Sequence, residues 1–510
     1  MNSSLSRLQA TLWLLLCAIA GMAMLFLFDD SCQMDGGQHY LFARWAWVHH
    51  ELFVGVWSRP LFTFVYAFPA LAGFRAARAL TVLMCLATAW QTWRLAEDFK
   101  LRRAPLSIAL LFLQPSFFLF CADTMTEPIF ALVYVVALRL HHRGWIKAGM
   151  IVASLMILAR PEGFFLGVLW AFWGLRIADC GLRIHPAQPA SPSPFPNWLR
   201  TVPQLVQSAI RNPQSAIKVL LLATGSCLWW LAAWLITGNP LFIKHNWPNN
   251  WPLTGTVYGA QGLIAFPSRL PEVVGLFLLP FFVYGLVWLL KQRQLLTLTS
   301  SFLLVFVLHT ILRAYGLLGS AGYPRYLVAI SPAIALITLS GWNEMSKFFA
   351  HISRPVRMGC AGVLLATSVW VNFVYADGAE WSRDAKAINA VHAWFQALPE
   401  KPEITRLIWS KPYAAILFDR DPWENPAFTH DRERDLKLLG EMPAGTMALW
   451  DERVGPKEFG LRAGDFQTMG FTVLNSQSFN LEGYLLDRSW FGFGGPRKQT
   501  INLLYKLKNQ

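Results

Sequence analysis

Gln9-Ala-Thr-Leu-Trp-Leu-Leu-Leu-Cys-Ala-Ile-Ala-Gly-Met-Ala-Met-Leu-Phe-Leu-Phe28 is followed at once by Asp29-Asp30-Ser-Cys-Gln-Met-Asp35-Gly-Gly. The 20 residues Gln9–Phe28 carry no charge. A helix of that length crosses a hydrocarbon layer of about 30 Å at about 1.5 Å per residue. Two aspartates follow it instead of a small-residue cleavage site, so the run reads as a retained span and not a signal peptide.

Outward from this run the same pattern recurs at 76–96, 104–121, 128–140, 147–160, 163–176, 217–236, 271–290, 295–315, 323–340 and 358–375. With 9–28 these make eleven expected spans. Those at 128–140, 147–160 and 163–176 are short, but polar turns separate them. A further run, 60–73, opens with Arg59-Pro60 and contains Pro69. It reads as an interfacial or re-entrant piece of a long first loop.

Composition agrees. The chain has 510 residues, 55% of them hydrophobic and 15% charged, against about 25% charged in a soluble domain. Few charges and many aromatics exclude disorder. Seven cysteines in this length exclude a disulfide scaffold.

The net charge of +14 suits either nucleic-acid binding or membrane threading, and its location decides. With the N-terminus cytoplasmic, the inner loops hold a net +14, the outer loops +1 and the tail from Asp377 −1. That is the positive-inside pattern. The charge therefore requires no nucleic acid, and the partners expected of this surface are membrane lipids.

Residues 1–376 thus read as a transmembrane domain with long outer loops at 29–75 and 237–270 and a Pro/Ser-rich cytoplasmic linker at 177–216. Residues 377–510 read as a soluble extracytoplasmic α/β domain. It has apolar runs at Arg406–Ser410 and Thr446–Trp450 and a helical pattern at Ala385–Leu398. The expected fold class is an α-helical polytopic membrane protein with a small C-terminal α/β soluble domain. No internal repeat is visible.

Ionisable groups at span ends are costly to bury and mark candidate sites. On this topology five such groups share the outer face. They are Asp29-Asp30 to Arg44, Asp123-Thr-Met-Thr126-Glu127-Pro128, Arg160-Pro161-Glu162-Gly163, Lys244-His245-Asn246-Trp247 and Gly322-Tyr323-Pro324-Arg325-Tyr326. Each also has a structural reading. Asp29-Asp30 can mark a helix leaving the membrane, and Asp35-Gly-Gly can be a turn. Thr126-Glu127-Pro128 is a good helix start, and Arg160-Pro161-Glu162-Gly163 a plain inter-helix turn. His245 can anchor at the interface, and Arg325 can snorkel. His141-His142 read as solvated on the inner side. No zinc spacing or phosphate loop is present.

In order and placement these motifs resemble the GT-C superfamily of membrane glycosyltransferases, including its protein-mannosyltransferase-like and GPI-mannosyltransferase-like members. The resemblance covers about residues 1–376. It rests on a first loop carrying an acid, Pro60-Leu-Phe-Thr-Phe, the Ala76-Ala77-Arg78-Ala79-Leu80 span start, Thr126-Glu127-Pro128, Arg160-Pro161-Glu162-Gly163, and Pro324-Arg325-Tyr326 with Pro332-Ala-Ile-Ala-Leu. Asp35-Gly-Gly-Gln-His39-Tyr40 is similar to the Asp-Gly-x-x-Tyr element of GPI-type mannosyltransferases, with one residue inserted.

The resemblance implies a GT-C fold and a polyprenyl-phosphate-linked sugar donor, with mannose among the candidate sugars. It also implies inversion at the anomeric carbon and an unidentified acceptor, whether glycan, lipid or protein. A phosphate leaving group needs positive neighbours, and Arg59, Arg160, Lys244, His245 and Arg325, with Tyr326, are the candidates. The acceptor hydroxyl needs a base, for which Asp35 comes first and Asp30 second. Glu127, Glu162 and Asp123 are supporting acids. No cofactor is required. A divalent cation between Asp35 and Glu127 is compatible with the carboxylates but not demanded by their spacing. A bacterial inner membrane is the expected location. The alternatives are a transporter or flippase for lipid-linked glycans, or a non-catalytic membrane subunit.

Overall fold

The computed structural model describes residues 3–28, 32–180, 218–247, 259–377, 380–424, 428, 431–481 and 497–507. The second candidate base, Asp30, and most of the 177–216 linker lie outside them.

The chain is mostly helical. Among the described residues, five helices are long and apolar enough to cross a membrane: Ser4–Leu27, Lys218–Thr237, Leu296–Tyr315, Pro324–Phe348 and Arg354–Ala376. The helix Phe74–Asp98 is as long as a span. It threads Thr81, Thr88 and Thr92 through the core, where Thr88 and Thr92 donate to carbonyls four residues back. Pro324–Phe348 is the central element, buried along 89% of its most apolar window. Gly285 and Gly341 let Leu279–Gln292 cross it at backbone contact, since a Cβ at Gly341 would lie 1.9 Å from the Phe281 carbonyl.

Three of the expected spans are broken. Run 104–121 divides into Leu106–Phe112 and Pro115–Phe120, because Pro115 lacks an amide hydrogen and forces Gln114 to an extended ψ of 116°. Run 147–160 breaks at Leu155 into Ile146–Ser154 and Met156–Ala159. Run 271–290 bends by 108° between Pro267–Val274 and Leu279–Gln292, with Gly275 at φ 96° in the break. The interfacial run becomes the 12-residue helix Pro60–Leu71, too short to span. Its Phe64 and Phe68 point outward, as a helix lying in the interface requires.

The C-terminal residues form a four-stranded sheet in the order β1-β2-β4-β3, from β1 (Arg406–Trp409), β2 (Thr446–Asp451), β3 (Phe471–Leu481) and β4 (Arg497–Lys506). β1 and β2 are parallel, and β4 is antiparallel to both β2 and β3. Alternate residues face opposite sides. Leu407, Met447, Leu449, Ile501 and Leu503 pack with Ile388 and Val391 of the helix Glu380–Gln396. Ile408, Ala448, Trp450 and Leu504 pack on the other face with Leu439 and Phe466. Covered on both faces, β2 buries every residue.

This domain packs on the segment that follows the first span. The helix Pro412–Phe418 lies against the helix Met34–Trp45. A Cβ at Gly37 would lie 3.3 Å from Pro412 Cβ and 2.9 Å from Cys32 Sγ. Arg44 reaches Asp419 at 3.6 Å, and His49 reaches Asp421 at 2.7 Å. Trp423 packs on Phe42, with ring centroids 5.4 Å apart.

Candidate active site

Asp35-Gly36-Gly37 is the first turn of the helix Met34–Trp45, not a loop turn. Gln33 caps that helix, its Oε1 accepting from the Gly36 amide at 2.9 Å. The glycines serve close approach, because a Cβ at Gly36 would lie 2.6 Å from Asp123 Oδ1.

Asp123 is a scaffold for this turn. Its carboxylate accepts from the Gln33 amide at 3.1 Å and the Thr124 amide at 2.7 Å, and Thr124 Oγ1 donates to the Gly36 carbonyl at 2.7 Å. Burial pushes the Asp123 carboxyl up to about 6, against the pull of Arg78. Arg78 is itself buried and donates to the carbonyls of Phe28, at 2.9 Å, and Ala122. It ties the end of the first span to the Asp123 turn. This role was hidden in sequence, where Arg78 is one member of an Ala-Arg run.

Three helix ends then converge on Asp35. Glu127 opens the helix Glu127–His142 and is fully buried. Arg160 ends the helix Met156–Ala159 in extended conformation, with φ −159°. Its Nη1 donates to Glu127 Oε1 at 2.6 Å and to Thr126 Oγ1 at 3.2 Å, and its Nη2 to Glu162 Oε1 at 2.9 Å. Arg325, in the 3-10 turn Pro324–Ile330, pairs through Nη2 with Asp35 Oδ2, and its Nε lies 3.6 Å from Glu127 Oε1. Its Nε and Nη1 make no hydrogen bond among the described residues. The guanidinium carbon lies 4.6 Å from the Tyr323 ring centroid and 5.9 Å from that of Tyr326, and Arg160 lies 5.5 Å from Tyr326.

Burial acts to raise the pKa of Asp35, but the Arg325 guanidinium beside it holds its carboxyl below the usual carboxylate range. His39 is one helical turn beyond Asp35, wedged among Phe62, Phe42 and Trp57. Burial and Arg59 push its pKa down to about 3, so the imidazole is neutral.

Arg59 caps the helix Pro60–Leu71 with a φ of 57°, a left-handed conformation uncommon for a side-chain-bearing residue. It is buried close enough to Arg160, Glu162, Glu127 and Asp35 to interact electrostatically with each. Its Nη1 donates to the Val56 carbonyl at 3.3 Å.

The predicted residues Asp35, Arg59, Glu127, Arg160, Glu162, Arg325 and Tyr326 thus share one place. Lys244 and His245 are exposed on the short helix Phe242–His245, where His245 Nδ1 meets Asn239 Nδ2 at 3.1 Å. No described contact joins them to the cluster. Their neighbour Asn246 does reach the first loop, its Oδ1 accepting from the Val56 amide at 2.8 Å. Among the described residues no group of three His, Cys, Asp or Glu could hold a metal ion. Between Asp35 and Glu127 lies the Arg325 guanidinium.

One neighbour escaped the sequence reading. His309 projects from the helix Leu296–Tyr315 onto Tyr326, with ring centroids 4.5 Å apart at 24°. It lies inside an apolar run, and its signal was that an ionisable group there is costly. His141, expected to be solvated, is buried against Trp170.

No protein-family model matches the chain, and no curated protein matches it. Among solved structures it is similar to ArnT from Cupriavidus metallidurans in the apo state. The two share 14% identity at a TM-score of 0.56, covering 97% of this chain and 98% of that one. The likeness is one of fold, the GT-C fold implied by the sequence motifs, and it extends through the C-terminal sheet domain.

Proposed function

We propose that this chain is a membrane glycosyltransferase. It moves a sugar from a polyprenyl-phosphate-linked donor to an acceptor hydroxyl at the outer face of the membrane. The observation that carries this reading is the convergence of Asp35, from the first outer loop, with Arg325, Arg160, Glu127 and Glu162 from three other parts of the chain. The GT-C fold supports it.

In the proposed reaction the acceptor oxygen attacks the anomeric carbon while Asp35 takes its proton, and the bond from that carbon to the phosphate oxygen breaks. A single displacement inverts the configuration. The departing polyprenyl phosphate is anionic and needs no proton. It needs donors, and Arg325 retains Nε and Nη1 for them. Glu127 and Glu162 orient the arginines. Lys244 and His245, exposed outside this cluster, are the residues proposed to meet the lipid headgroup. The sugar is open among mannose, glucose, arabinose and aminoarabinose.

Asp35→Asn keeps the size of the side chain and removes the base. Transfer of labelled sugar in membranes should fall about 100-fold or more. Full activity of the variant would overturn Asp35 as the base. Movement of lipid-linked sugar across the membrane with no transfer by the native chain would overturn the enzyme reading.

A further inference from the structure

His309 is 2% exposed, yet neither Nδ1 nor Nε2 has a hydrogen-bond partner among the described residues. One face of its ring stacks on Tyr326, and Phe266 lies 5.7 Å away. Its Nε2 is 3.8 Å from Glu162 Oε1. That separation exceeds a hydrogen bond. It is short of the roughly 4.5 Å at which one oxygen bridges two such atoms at hydrogen-bond length, so a shared hydroxyl enters with a shift of about half an ångström between the two side chains. A neutral imidazole offers one donor and one acceptor, and a carboxylate only accepts. Together they match a hydroxyl, which donates to Glu162 and accepts from His309. They match a phosphate poorly, because Glu162 would face it with like charge. Arg160 fixes Glu162 from the other side through Nε at 3.2 Å and Nη2 at 2.9 Å, so the carboxylate is held for the role.

We propose that His309 and Glu162 form a sugar-hydroxyl subsite, in which His309 is a specificity-determining residue for the transferred sugar. This rests on the glycosyltransferase reading and adds to it where the sugar ring lies. The ring is held on the Tyr326 side of Arg160, and the phosphate is left to Arg325. Buried groups built to pair a hydroxyl discriminate strongly against ligands that lack it.

The test measures binding to the detergent-purified full chain. The probes are polyprenyl phosphate itself and polyprenyl-phosphate-linked mannose, glucose, arabinose and aminoarabinose. The native chain should bind one of the sugar lipids at least tenfold more tightly than the bare lipid. In His309→Phe, which keeps the stacking and loses both nitrogens, that ratio should fall about tenfold with bare-lipid affinity unchanged. His309→Gln should restore part of it. An unchanged ratio in His309→Phe, or an equal loss for bare and sugar-bearing lipid, would overturn the subsite, since a bridging water or a packing role predicts those results. A native chain that prefers none of the four sugar lipids would overturn the glycosyltransferase reading itself.

Discussion

Arg160 is a single buried cation shared between two carboxylates. Glu127 is fully buried, and Glu162 keeps 16% of its side chain exposed. Removing one partner of such a set leaves charge uncompensated, at about 3–5 kcal/mol. Arg160→Met should therefore lower the thermal melting point of the purified chain markedly, whatever happens to activity. Arg160→Lys keeps the charge but not the fork that grips both acids, and should fall between. His39 predicts a pH dependence. Its folded-state value of about 3 lies below the unfolded 6.5. The stability it contributes is complete above pH 6.5 and is lost as pH falls toward 3. The slope is up to about 1.4 kcal/mol per pH unit. Melting curves between pH 7 and 4 should show this decline, and His39→Phe should flatten it. The residues of the site were legible because ionisable side chains at span ends are rare. Their partners were not, since nothing in the sequence says that Asp35 meets Arg325.

At the scale of elements, the bilayer made most helices legible, because its thickness sets their length. The breaks at Pro115 and Gly275 were not legible, although both residues are backbone punctuators. A continuous apolar run hides a kink when neighbouring helices cover the freed backbone groups. The helix Met34–Trp45 is not legible as a helix for a related reason. It has Asp35 and two glycines in its first turn, and its glycines are selected for contact with Asp123 and Pro412 rather than for helix propensity. Gly37→Leu should push the helix Pro412–Phe418 away from it. Limited proteolysis should then cut the Asp419–Trp423 segment faster than in the native chain, while the helices Arg432–Glu441 and Ala463–Thr468, packed on the sheet face whose core excludes that helix, stay resistant.

For the whole molecule, the net charge of +14 is expected to follow the threading of the chain. On the proposed orientation, an alkaline phosphatase reporter fused at Gln510 should be active and one fused at Pro192 inactive. The reverse pattern would invert the membrane assignment and place Asp35 and Arg325 in the cytoplasm. The α/β character of the C-terminal residues was legible from their composition, and its attachment to the Asp35 helix was not. That attachment makes the soluble domain a support for the site, through Arg44–Asp419 and His49–Asp421.

The Asp35–Arg325 pair has a consequence in time as well as in space. The two residues are separated by 290 positions. At about 5–20 residues per second, ribosomes need roughly 15–60 s to make that stretch. During that interval the segment after the first span has been made, and its carboxylate lacks Arg325. The domain that braces its helix is made later still. Assembly of the site therefore reports that synthesis has passed Arg325, and a product truncated before it has Asp35 without its partner.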